Sequence, residues 1–176
     1  ELSGGLTDTS FAGPVGFSVG TGPFRVKIGD VDVDGKLDIA SANFGVYGGT
    51  TISVLRNTTN GGTPANISFD PYVDFTSAGT GPYSLAMSDL NGDGKPDIGA
   101  ATVGSGMSIF QNTSTPGTIS SSSFSPALSY AYGAIDLAFA DFDGDSRPDI
   151  LASSNGPIEI YQNEIGVNET RLITAS

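Results

Sequence analysis

Apolar and polar positions along this chain alternate in short runs, punctuated by clusters of Gly, Pro, Asn and Asp. Long runs of Ala, Leu, Glu and Lys, which favour helices, are missing, so the pattern predicts an all-β chain. The middle third reads most clearly. Residues 83–88 place Leu85 and Met87 on one face of a strand. Residues 98–102 are small and apolar throughout, as in a strand buried on both faces, and residues 107–111 alternate again. A fourth strand is expected near 124–130, after a Ser/Thr-rich loop. Sequential strands joined by tight turns predict an antiparallel meander.

This four-strand unit recurs. GPFRVKIGD (22–30), GPYSLAMSD (81–89) and GAIDLAFAD (133–141) align without gaps, as do ISVLRN (52–57), MSIFQN (107–112) and IEIYQN (158–163). FDPYVDF (69–75) matches FSPALSY (124–130), and FAGPVGF (11–17) matches both. Spacings of 50–60 residues with several short strands per unit point to a repeat array of β-propeller blades. The reading is one domain over 1–176, with repeats at about 11–66, 67–121 and 122–176. Residues 8–19 look like the last strand of a preceding blade, and residues 170–174 like the outer strand of the third.

Between the first two strands of each unit lies an acidic loop: DVDVDGKLDI, DLNGDGKPDI and DFDGDSRPDI. Oxygen-bearing side chains fall at positions 1, 3, 5 and 9 of every copy: Asp30, Asp32, Asp34 and Asp38; Asp89, Asn91, Asp93 and Asp97; Asp141, Asp143, Asp145 and Asp149. Position 7 is Lys36, Lys95 or Arg147, whose backbone carbonyl could face the same centre. Alternating short carboxylates on a tight turn match the six to eight hard oxygens that Ca2+ takes, about three ions in all. Magnesium demands stricter geometry, and zinc prefers His and Cys, of which the chain has none. An EF-hand would need Glu at position 12, where Ser41, Ala100 and Ala152 stand. A metal-free Asp/Gly turn is the plainer alternative for one loop. Against it, eleven of the 19 acids sit at these ligand positions, and the net charge is −12. Position 6 is Gly35, Gly94 and Ser146, so the third site is expected to be the weaker; Val33 in place of Gly92 and Gly144 is a smaller departure.

The same charge disfavours nucleic acid and acidic membranes, and no apolar run could span a bilayer. No leader is read at Glu1, which fits a mature chain or a piece of a longer one. Without Cys there is no disulfide, and without His the commonest general base is missing.

At the G-P-x-x-V/L approach (22–26, 81–85), the D-x-[DN]-x-D-G-x-x-D loops and the D-I-x-x-A strands, the chain resembles the FG-GAP/VCBS repeat family, including the integrin-α-like β-propellers. The resemblance spans roughly residues 11–163. It implies four-stranded blades holding Ca2+ between their first two strands. It also implies a secreted or cell-surface, non-catalytic module for adhesion to an extracellular protein or carbohydrate. Many such propellers are accessory modules of large secreted bacterial proteins, and the loop at 55–63 has that style. The alternative is the propeller part of a secreted polysaccharide lyase or hydrolase. Propellers have four to eight blades and this chain encodes about three, so either it is part of a longer propeller or copies self-associate, as in a 3+3 homo-oligomer.

Other features are read more plainly. Gly16-Phe-Ser18-Val-Gly20 matches a nucleophile elbow but lacks a His partner. Glu159 is expected on a solvated face or beside a basic residue. Asn57, Asn66, Asn112 and Asn168 open N-x-S/T sequons but are expected to be turn and strand-end residues. Phe44, Tyr47 or Tyr132 could form a sugar-stacking platform.

Overall fold

The computed structural model describes residues 5, 7, 10–45, 48–61, 67–103, 106–130, 133–166 and 174–175. Among them there are strands and no helix. The first sheet runs β1 (Pro23–Gly29), β2 (Asp38–Asn43), β3 (Thr51–Leu55), β4 (Val73–Thr76). The second runs β5 (Pro82–Ser88), β6 (Asp97–Thr102), β7 (Gly106–Phe110), β8 (Leu128–Tyr130). The third runs β9 (Asp136–Ala140), β10 (Asp149–Ser153), β11 (Ile158–Gln162), with a two-residue β12 (Thr174–Ala175) against β11. Every pairing is antiparallel and in chain order, and no sheet closes on itself.

The sheets are packed in series and approach most closely at their first strands, β5 against β1 and β2, and β9 against β5 and β6. The middle sheet is therefore covered on both faces. Its strand β6 is buried at every position, and alternation sorts the side chains: Ile98 and Ala100 join the core shared with the first sheet, Ala101 the core shared with the third. Leu85 and Met87 share the first of these cores, as their spacing predicts. At Gly99 the third sheet comes close: a Cβ there would lie 2.4 Å from the tip of the Phe139 ring, so a larger residue would have to displace that ring. Among the described residues, the outer sheets have no such second neighbour. Val26 and Ile28 of β1 are each 64% exposed, and Ile158 of β11 is 70% exposed.

Two expectations change, and a third is met where it can be seen. The fourth strand of the second unit is confined to Leu128–Tyr130; Phe124 makes only an isolated bridge to Asn112 and turns its ring into the core, edge-on to Phe75 at 4.8 Å. Residues 10–19 form no strand: Gly13, Pro14 and Gly16 weaken any ladder, and the segment is held instead by Phe17 against Phe69 at 4.9 Å. Of residues 170–174, only Thr174 lies within the described part, where it begins β12.

Candidate metal centre

All three acidic loops occupy the turn between the first and second strands of a sheet and share one hydrogen-bond plan. The position-1 carboxylate caps the loop from inside. Asp30 accepts from the amides of Asp34 (3.0 Å) and Gly35 (2.9 Å), Asp89 from Gly92, Asp93 and Gly94, and Asp141 from Gly144, Asp145 and Ser146. The position-5 carboxylate accepts from the position-7 amide: Lys36 to Asp34, Lys95 to Asp93, Arg147 to Asp145. What is seen of the position-7 backbone is thus its N–H.

Position 9 is buried in every copy. Its two oxygens tie the loop to the end of the third strand. Asp38 accepts from Val31 and Asn57 amides, Asp97 from Leu90 and Asn112, Asp149 from Phe142 and Asn163, all at 2.8–3.0 Å. Burial pushes the Asp97 carboxyl up to about 6; its two amide bonds pull the other way, and the neighbouring Asp93 and Asp89 charges add to the rise. Burial likewise raises Asp38, against its amide bonds and with the Asp32 charge. A bound cation would favour the ionised form at both.

Carboxylate oxygens of Asp30, Asp32 and Asp38 lie within 4.8 Å of one another, as do those of Asp141, Asp143 and Asp149. In the second loop, Asn91 supplies an amide oxygen instead, bonded to the Asp93 amide at 3.0 Å. The donor set is all hard oxygen, which suits calcium. Asp32 adds an observation of its own: it is fully buried, and its Oδ1 has no hydrogen-bond partner. An orphaned buried carboxylate oxygen is costly unless a cation meets it.

Position 12 falls inside strands β2, β6 and β10, where Ser41, Ala100 and Ala152 are buried, so no EF-hand geometry arises. One expectation is corrected at positions 4 and 6. Both take left-handed backbone in every loop, and Val33 (φ 55) lies in that region as Ser146 (φ 69) does. A β-branched residue is the less tolerant there, so Val33 is not the smaller departure. Val33→Gly is expected to raise the melting temperature by a few degrees, from about 1 kcal/mol of relieved backbone strain; a calorimetric scan of the metal-free protein checks it.

Two features escaped the sequence reading. Arg56 enters the first loop, with Nε 2.5 Å from Asp32 Oδ2 and Nη2 2.6 Å from Asp34 Oδ2. The signal was in the aligned third strands, where Arg56 stands opposite Gln111 and Gln162. The second feature is a stitch between sheets. Asn112 Nδ2 donates to Pro96 O of its own sheet and to Val31 O of the first loop; Asn163 Nδ2 donates to Pro148 O and to Leu90 O of the second loop. Asn57 and Asn112 thus end strands, as expected, and Asn112 does more. Asn66, Asn168, Tyr47 and Tyr132 lie outside the described residues. Glu159 is half-buried and accepts from the Tyr161 hydroxyl at 2.5 Å, with no basic partner found among the described residues.

At the opposite end of the sheets from the loops, Phe24, Phe44 and Tyr83 cluster, with Phe24 and Tyr83 rings 4.5 Å apart and the Arg25 guanidinium over Phe24 at 5.0 Å. Phe24 and Tyr83 sit at equivalent register breaks in β1 and β5, which re-aim a side chain out of the ladder.

A family model for the FG-GAP-like repeat matches residues 30–100 and 89–152, together more than half of the chain. Comparison with curated proteins found no match.

Proposed function

Since the chain belongs to the FG-GAP-like repeat family, we propose that its three sheets are consecutive blades of a calcium-stabilised β-propeller that acts outside the cell as a non-catalytic binding or adhesion module. The ligands would be Asp30, Asp32, Asp34 and Asp38, then Asp89, Asn91, Asp93 and Asp97, then Asp141, Asp143, Asp145 and Asp149, with the carbonyls of Lys36, Lys95 and Arg147. The observation that carries the calcium reading is the convergence of three carboxylates within 4.8 Å in the first and third turns. Calcium there would be structural. It would neutralise the turn between the first two strands and add its binding energy to folding.

The apolar outer faces at Val26, Ile28 and Ile158 favour a ring completed by further blades, from a longer chain or a second copy. No helix among the described residues is long and apolar enough to cross a membrane. For recognition, the aromatic cluster at Phe24, Phe44 and Tyr83 with Arg25 offers rings for a sugar face or an apolar side chain and a cation for an acidic group. An open cleft lined by Tyr83, Val103, Ile135 and Asn155 adjoins it. The test is a glycan array run beside turnover assays on the same polysaccharides. Binding without turnover, reduced tenfold or more by Tyr83→Ala, is expected. Turnover would favour the alternative, a propeller bearing the site of a polysaccharide lyase or hydrolase.

A further inference from the structure

The three loops are alike in their capping bonds and unlike in what fills them. In the first, the Arg56 guanidinium lies between the carboxylates at positions 3 and 5, bonded to Asp32 Oδ2 and Asp34 Oδ2 at 2.5 and 2.6 Å. Its third nitrogen, Nη1, stands 3.6 Å from Asp70 Oδ2. The pairing raises the pKa of Arg56, chiefly through its bond to Asp32. The second unit has the same backbone at this point: Asp70 N donates to Arg56 O, and Ser125 N donates to Gln111 O. Both charged members are replaced there at once, Arg56 by Gln111 and Asp70 by Ser125. In the third unit, Gln162 Nε2 reaches the position-3 carboxylate Asp143 at 3.2 Å, and among the described residues the loop's own Arg147 pairs with the position-5 carboxylate Asp145 alone, so no guanidinium bridges positions 3 and 5 there. The side chain at this place in the third strand therefore faces the loop in the first and third units, and in the first it brings a permanent positive charge.

The first loop is also the most enclosed. The connection after β7 in the second sheet lies over it, with Gly117 N on Asp32 O at 2.9 Å and Ser114 Oγ on Val31 O. Asp32 is fully buried, whereas Asp143 at the same position of the third loop is exposed. An enclosed carboxylate needs a cation close by, and Arg56 is the one the chain itself provides.

We propose that Arg56 is a built-in counter-cation of the first loop and competes with calcium for Asp32 and Asp34. The second and third loops then take calcium tightly, while the first takes it only as Arg56 withdraws toward Asp70. This rests on the calcium reading above and adds an order among the sites: the first loop already holds a cation of the chain's own against Asp32 and Asp34 and is the last to fill.

Calcium binding is titrated calorimetrically on EDTA-stripped wild type and Arg56→Gln, which installs the residue of the other two units. Two tight sites are expected in the wild type and three in the variant, and adding Asp32→Asn to the variant should return the count to two. Two tight sites in both proteins, or three equal ones in the wild type, would overturn the competition and leave the calcium reading standing. No site in either protein would overturn the calcium reading and this inference with it. The melting temperature supplies a second readout: Arg56→Gln should melt lower than wild type in EDTA and recover in millimolar calcium. An equal deficit in both conditions would make Arg56 a packing residue only and sink the proposal.

Discussion

Treatment with EDTA is expected to lower the melting temperature by about ten degrees or more. Each loop gathers three or four carboxylates into ten residues, and in the first and third loops three of them bring oxygens within 4.8 Å of one another. An ion that binds only the folded state at a hundred times its Kd adds about 2.7 kcal/mol per site. Two filled sites then contribute about 5 kcal/mol, and a chain of this size shifts by about 2–4 °C per kcal/mol. A calorimetric scan with calcium and with chelator checks the result. An unchanged melting temperature would defeat structural calcium. Magnesium at the same concentration should restore less of the loss, because it demands near-ideal octahedral geometry and gives up its waters reluctantly.

The second large effect falls on a residue with no charge. Asn112→Ala should cost about 2–4 kcal/mol, or roughly 5–15 °C, because it strands groups that water cannot reach. Asn112 is fully buried. Its Nδ2 donates to Val31 O at 2.8 Å and to Pro96 O at 2.9 Å, and its Oδ1 accepts from Ser114 N at 2.9 Å. Truncation removes the Asn112 bond to the Val31 carbonyl in the seam between the first and second sheets. Asn57→Ala is the control. Its side chain caps its own loop at Leu37 O, exposed, and among the described residues bonds to no carbonyl of another sheet, so a cost below about 1 kcal/mol is expected. Equal melting temperatures for the two variants would refute the seam. The order of effects follows from place in the array: a unit with a preceding sheet binds back to it through this Asn. The position-2 residues agree, since Val31 and Leu90 are buried beneath such contacts while Phe142, at the same position of the third loop, is 50% exposed.

Much of this molecule is local chemistry and can be read along the chain. Strand positions follow from period-2 alternation, which places Ile98 and Ala100 on one face and Ala101 on the other whatever lies opposite. The acidic turns follow from residue type. Gly92 and Gly94 are the natural occupants of left-handed backbone, and an Asp at position 1 is within reach of the amides that follow it. Repetition made these signals specific, and sequential pairing of strands needed only short connections. Where residues from distant parts of the chain meet, local pattern is silent. Nothing near Arg56 in the chain indicates that its guanidinium enters a loop more than twenty residues earlier. Two of its carboxylate partners, Asp32 and Asp34, belong to that loop, and the covering strip comes from the next sheet. The burial of Asp32 depends on that neighbour, and so does the difference between Asn57 and Asn112, which look alike as residues. The segment at 10–19 shows the reverse case: it carries a strand-like pattern, yet with Gly13, Pro14 and Gly16 in it the segment stays irregular. Side-chain direction is set by the residue and its backbone; desolvation and partnership are set by whatever the fold brings alongside, and these decide which of three similar loops most needs a metal ion.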